Sequence, residues 1–178
     1  MKGTSRKEYE NEYYKRICSE IIEDFLYLGS DFIAKDNDIL KQTGITHVIN
    51  CAADYSANYF EGPIKYKKYH LKDHVREQIE CVFYDAIEFI EDAKKQGGKV
   101  YVHCVQGVSR SATICLAYLI YSRKITFNDS LTYIKEKRPV ANPNMTFIAQ
   151  LICFYKRLFE TSFDSVPLSP RVFMLGSH

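Results

Sequence analysis

The sequence predicts an α/β domain whose mostly parallel central sheet is flanked by helices. Three observations carry this reading. Runs of β-branched or alternating apolar residues recur between stretches with apolar residues three and four apart, the order that builds parallel sheets. The chain has 178 residues, 46% of them apolar, which suits a single domain around one packed core. A strand, a tight loop and a helix follow one another at 99–121, and the loop falls at the carboxyl end of its strand, where open α/β sheets place their ligands.

The elements follow in order. Residues 5–20 are charged and tyrosine-rich (Tyr9, Tyr13, Tyr14) and read as a helix or as an arm docked on the domain. The alternation Ile22, Asp24, Leu26, Leu28 predicts a strand over 22–28 that stops at Gly29. A short helix over 36–42 ends at Gly44. The β-branched run ITHVIN (45–50) reads as a buried strand, and 66–71 as a weaker one. Apolar residues at 79, 82, 83, 86, 87 and 90 predict a helix over 79–95, terminated by Gly97 and Gly98. KVYVH (99–103) is a further strand. Helices are expected over 109–121, over 126–137 with Pro139 ending it, and over 144–159. The tail 161–178, with Pro167, Pro170 and Gly176, is expected to lie over the surface or to be mobile. Its Ser169-Pro170 is a common dipeptide that fits a proline-directed phosphosite.

Composition narrows the classes of function. The 24 basic and 22 acidic residues leave a net charge of +2, with no dense basic stripe for nucleic acid. The longest apolar run, 112–121, is shorter than the roughly 20 residues that cross a bilayer. Residues 1–10 are charged and lack an apolar signal core. The six cysteines (Cys18, Cys51, Cys81, Cys104, Cys115 and Cys153) form no CxxC pair and match no zinc spacing. The expectation is a soluble protein with free thiols in the cytoplasm or nucleus, with no metal, no cofactor, no nucleic acid and no membrane partner.

The chemistry concentrates in His103-Cys104-Val105-Gln106-Gly107-Val108-Ser109-Arg110-Ser111. A loop that opens a helix can turn successive backbone N–H groups towards an anion, and the helix dipole adds positive potential. Gly107 lets the backbone turn and approach a phosphate without a Cβ clash. Val105, Gln106, Val108 and Ser109 complete the cradle. Cys104 stands at its first position, where the field that binds phosphate also lowers a thiol pKa. A thiolate attacks phosphorus. Arg110 offers a planar fork that matches two phosphoryl oxygens, which a lysine cannot do. Ser111 can donate a hydrogen bond to the sulfur when it leaves as thiolate. His103 is expected to orient the loop from behind.

HCVQGVSRS fits the HCxxGxxR(S/T) signature of cysteine-dependent protein tyrosine phosphatases, and its GxSRS form resembles the dual-specificity branch. The resemblance runs from Glu20 to Arg157. It includes FLYLGS (25–30), GITHVINC (44–51), GGKVYVHC (97–104), AYLI (117–120) and ANPNMTFIAQL (141–151). AYLI and RPVANPN are similar to the MAP kinase phosphatase group. The resemblance implies an N-terminal extension at 1–19, a catalytic domain at 20–160 and a tail at 161–178. It also implies the phosphatase fold, a cysteinyl-phosphate intermediate and no cofactor.

Breaking a phosphoester requires a proton for the leaving oxygen. The resemblance assigns it to Asp73, in HLKDHVREQIE; Glu77 and Asp54 are alternatives, and His74 beside it reads as structural. Asn144 fits the family asparagine near the phosphate loop and equally a helix N-cap. Arg138 reads either as a contact for a second phosphate or as an exposed arginine at a helix end. Cys51 reads as a buried inert cysteine or as a partner for a reversible disulfide with Cys104.

None of Val105, Gln106, Val108 and Ser109 is basic, whereas relatives that act on inositol lipids carry lysines there. The neutral loop argues for a phosphoprotein substrate. The chain also lacks the long insertions that build a deep, tyrosine-only pocket. The family implies a MAP kinase activation loop as substrate; Lys156-Arg157-Leu158 is too short to count as a docking motif. The alternatives from other classes are a phospho-binding module without catalysis and a phosphoinositide or RNA phosphatase on the same fold.

Overall fold

The computed structural model describes residues 5–160; the Ser169-Pro170 dipeptide and the expectations for the tail lie outside them. Five strands form one sheet: β1 (Ser19–Ile22), β2 (Leu26–Ser30), β3 (His47–Asn50), β4 (Lys65–Lys68) and β5 (Val100–Cys104). Their order is β1-β2-β5-β3-β4, with β1 antiparallel to β2 and every other pairing parallel. The mostly parallel sheet expected from sequence is therefore present, with a hairpin at one edge.

That hairpin corrects the strand expected over 22–28. The chain reverses between β1 and β2 through Asp24, which adopts φ 53° and donates its N–H to Glu20 Oε1 at 2.8 Å. The alternation of Ile22, Asp24, Leu26 and Leu28 runs through the turn and hides it. Nor does the strand stop at Gly29. It continues to Ser30, because Gly29 lies under Tyr101, whose hydroxyl occupies the place of a Cβ and donates to the Ser30 carbonyl at 2.7 Å. The strand expected at 66–71 is β4, displaced to Lys65–Lys68.

Strand periodicity sorts the core to two sides. Leu26, Leu28, Ile49, Val100 and Val102 belong to a large cluster, and the intervening Tyr27, Val48 and Tyr101 to a smaller one. The larger cluster packs under α4 (Phe83–Lys95), α5 (Arg110–Arg123), α6 (Phe127–Lys137) and α7 (Met145–Phe159). Helix α5 is buried from Arg110 to Ile120, which explains its apolar character on every side. A 3-10 turn, Ile79–Val82, precedes α4, so the helix expected over 79–95 is two elements.

The smaller cluster lies with α2 (Asp31–Ala34) and α3 (Asn37–Thr43), and Gly44 caps α3 at φ 79°. The N-terminal stretch is a helix, α1 (Arg6–Lys15), closed by a Ser5–Glu8 capping box. No residue of α1 is buried; the Lys15 carbonyl that ends it accepts from Ser30 Oγ. Among the described residues, no helix is long and apolar enough to cross a membrane, and no three His, Cys, Asp or Glu side chains could hold a metal ion.

Candidate active site

Strand β5 delivers Cys104 to the sheet's carboxyl edge, and α5 begins six residues later at Arg110. Every carbonyl of the intervening loop is engaged. Val105 O accepts from Asp31 N at 3.2 Å, Val108 O from Asn142 N at 2.8 Å, and Ser109 O from Thr113 N at 2.8 Å. Arg138 takes the two between, donating from Nη2 to Gln106 O at 3.1 Å and from Nε to Gly107 O at 2.7 Å. With carbonyls fastened outward, peptide planarity turns the following N–H groups inward. Gly107 makes this possible at φ 70°. A Cβ there would collide with the Gly29 backbone and lie 2.6 Å from Arg138 Nη2.

At the centre of the nest is Cys104 Sγ. It accepts from Gly107 N at 3.3 Å and from Ser111 Oγ at 3.2 Å. Burial pushes this thiol up. The Ser111 hydroxyl, the Arg110 charge and the backbone N–H groups of Ser111 and Gly107 outweigh it, so the net shift is downward. Cys51 and Cys115, equally buried, show the contrast: burial dominates there and raises both thiols. Cys51 N donates to His103 O at 2.8 Å, which sets Cys51 beside Cys104; both are free thiols.

Arg110 is buried, and its Nη1 donates to Leu71 O at 3.0 Å. Its Nε has no partner among the described residues, so the guanidinium keeps a free donor for an anion in the loop. Asp73 stands beside the loop. Its Oδ1 accepts from Ser109 Oγ at 2.8 Å and from Asn144 Nδ2 at 3.0 Å, while Oδ2 takes no bond from the described residues. Asn144 also caps α7, accepting from Phe147 N at 3.0 Å.

A cavity of about 440 Å³ is lined by Cys104, Val105, Gln106, Val108, Ser109 and Arg110, with Asp73, Asn142, Asn144 and Tyr55 around them. The alternatives to Asp73 are elsewhere: Glu77 accepts from Lys72 N, and Asp54 pairs with His70. His74 Nδ1 accepts from Arg76 N in a local turn. His103 lies behind the loop, stacked on Tyr101. Its Nδ1 is 3.4 Å from the Cys104 carbonyl, too long for a strong bond. Burial pulls its imidazole down to about 4, leaving it neutral.

Arg138 is the clear correction. It is fully buried, neither exposed nor open to a second phosphate, and its Nη1 also reaches Ile17 O and Ser19 Oγ, each at 3.1 Å. Sequence reasoning missed Tyr55 and Asn142. The available signal was position: Tyr55 follows the carboxyl end of β3, beside the strand that ends in Cys104.

Comparison with known proteins agrees with this geometry. The dual specificity phosphatase catalytic domain matches residues 26–157. The chain belongs to that family. Protein-tyrosine-phosphatase MKP1 of Arabidopsis thaliana is 37% identical over 180 residues, covering 99% of this chain and 22% of that protein. Human dual specificity protein phosphatase 1 is 38% identical over 151 residues, covering 85% of this chain and 41% of that one. The chain thus spans less than half the length of these curated relatives. Among solved structures, the human tyrosine phosphatase-like serine/threonine/tyrosine-interacting protein superposes with a TM-score of 0.74 at 31% identity, covering 80% of this chain and 97% of that one. The structure of DUSP15 gives 0.72 at 32% identity, covering 83% and 98%.

Proposed function

We propose that this chain hydrolyses phosphotyrosine and phosphoserine or phosphothreonine in proteins through a phosphocysteine on Cys104. The observation that carries the proposal is the state of Cys104 Sγ. It is held by Gly107 N–H and Ser111 Oγ inside a loop whose carbonyls all point away, with Asp73 lining the same cavity.

The substrate phosphoryl group sits in the loop, two of its oxygens on the Arg110 fork and the rest on inward N–H groups. Cys104 thiolate attacks phosphorus, forming P–S as the P–O bond to the substrate breaks. Asp73, protonated at Oδ2, gives its proton to the departing oxygen. A water then takes the vacated place, and Asp73 carboxylate accepts its proton. The resulting hydroxyl bonds to phosphorus, P–S breaks, and the thiolate leaves onto Ser111 Oγ–H. Inorganic phosphate departs, and Asp73 is protonated for the next cycle. Ser109 and Asn144 fix the acid loop over the cavity by their shared hold on Oδ1.

The neutral loop favours phosphoprotein over polyphosphorylated head groups. The names of the relatives, MKP1 among them, support a MAP kinase as the protein dephosphorylated. Such a substrate fits a setting in the cytoplasm or nucleus. The test is a panel of phosphopeptides, including a doubly phosphorylated Thr-x-Tyr peptide, run beside inositol phosphates without added metal. The expected result is turnover of the peptides and little of the inositol phosphates. Preferred turnover of inositol phosphates would overturn the substrate class.

A further inference from the structure

Tyr55 is the sole aromatic residue among those lining the cavity, and it is 63% exposed. An exposed aromatic ring at the mouth of a cavity offers a face against which another ring can pack. Its centroid is 5.7 Å from Arg110 Cζ, so the ring stands beside the guanidinium that receives the phosphoryl group. The remaining mouth residues, Asp73, Asn142 and Asn144, are polar. Val105 and Val108 belong to the loop itself, so Tyr55 is the one aromatic wall of the cavity.

The ring is exposed, but the turn that carries it is fastened. Tyr55 N and Ser56 N both donate to Ala52 O, at 2.8 and 2.9 Å. The buried Asn50 side chain bridges the turn, accepting from Ala52 N at 3.0 Å and donating to Ser56 O at 2.8 Å. Asp31 accepts from Ser56 Oγ and from Tyr59 Oη on the far side. The same Asp31 donates its own N–H to Val105 O of the phosphate loop. One residue thus ties wall and loop together, and the ring's distance from the phosphate site is set by the scaffold.

We propose that Tyr55 is a specificity-determining residue that stacks on the ring of a phosphotyrosine and biases this site towards phosphotyrosine over phosphothreonine and phosphoserine. The proposal rests on the phosphatase reading for where the phosphoryl group sits. A phosphotyrosine seated on Arg110 brings its ring along the cavity past Tyr55. A phosphothreonine brings no ring and leaves the wall without a partner. An aromatic pair of this kind corresponds to roughly three- to tenfold in discrimination.

The test is the ratio of dissociation constants for two peptides of identical flanking sequence, one with phosphotyrosine and one with phosphothreonine. It is measured on Cys104→Ser protein, and on the same protein carrying Tyr55→Ala or Tyr55→Phe. Binding to the Cys104→Ser protein reads the wall whether or not the native chain turns over substrate. Failure of the phosphatase reading shows separately, as absent turnover by native protein. The expected result is a preference for phosphotyrosine that falls three- to tenfold in Tyr55→Ala and is kept in Tyr55→Phe. A ratio that stays within twofold in Tyr55→Ala overturns the proposal, as does equal weakening of both peptides.

Discussion

Arg138 Nε donates to the Gly107 carbonyl at 2.7 Å, from the side of the loop opposite the cavity. Three more bonds from the same guanidinium join Gln106 O, Ile17 O and Ser19 Oγ. A buried cation thus holds the anion nest in shape and ties it to the segment ahead of β1. Arg138→Met leaves these acceptors buried and unpaired, which costs about 3 kcal/mol or more. Chemical denaturation of the variant should show that loss together with a fall in kcat/KM. Native stability in Arg138→Met contradicts the role.

Ser111 has a different signature. Its hydroxyl bond to Cys104 Sγ favours the charged sulfur. Ser111→Ala should move the pH midpoint of Cys104 alkylation upward. It should also slow breakdown of the phosphocysteine about tenfold to a hundredfold, the equivalent of one hydrogen bond to a charged group. The second effect appears as a burst of alcohol product followed by slow turnover. An unmoved alkylation profile contradicts this assignment.

Asp73→Asn removes the proposed proton donor, and general acid catalysis contributes about 10²–10⁴ in rate. The loss should be largest for alkyl phosphates of serine and threonine and smallest for aryl phosphates with good leaving groups. Asn144 separates positioning from stability. Asn144→Ser keeps a cap for α7 but loses the bond to Asp73 Oδ1. It should lower turnover of alkyl phosphates with little change in Tm. Asn144→Ala should lower both, the cap costing about 1 kcal/mol. Native turnover of alkyl phosphates in Asn144→Ser would exclude the positioning role.

His103 gives the stability a pH dependence. Burial lowers its pKa from 6.5 to about 4 in the folded chain. Between those values the unfolded chain binds a proton that the folded chain refuses. Stability is therefore full above about pH 6.5 and falls as pH drops towards 4, by roughly 3 kcal/mol in all. Denaturation measured at pH 7 and pH 4.5 should show a smaller fall in His103→Gln than in the native chain. Equal falls contradict the assignment.

The loop and its nucleophile were legible because Cys104, Gly107, Arg110 and Ser111 stand at fixed spacing on one strand–helix junction, so local sequence alone defines them. Asp73 needed the resemblance, since an exposed carboxylate in a loop has no periodicity to mark it. The β1–β2 hairpin was hidden because Asp24 makes its turn without Gly or Pro, and the apolar alternation continues across it. Arg138 follows Lys135, Glu136 and Lys137 in sequence and reads as one more surface charge. Only the approach of the phosphate loop and the segment before β1 buries it. Tyr55 was invisible for the same reason: its importance comes from Arg110, 55 positions away in the chain, and from Asp31 beneath its turn.

The proposed reaction passes its phosphate through Cys104. The direct measurement is rapid acid quench of the chain during turnover of a phosphotyrosine peptide, followed by peptide mass mapping. The expected result is phosphate on Cys104, formed without added metal and missing from Cys104→Ser. Turnover that survives Cys104→Ser, with no phosphocysteine at any time, would contradict it.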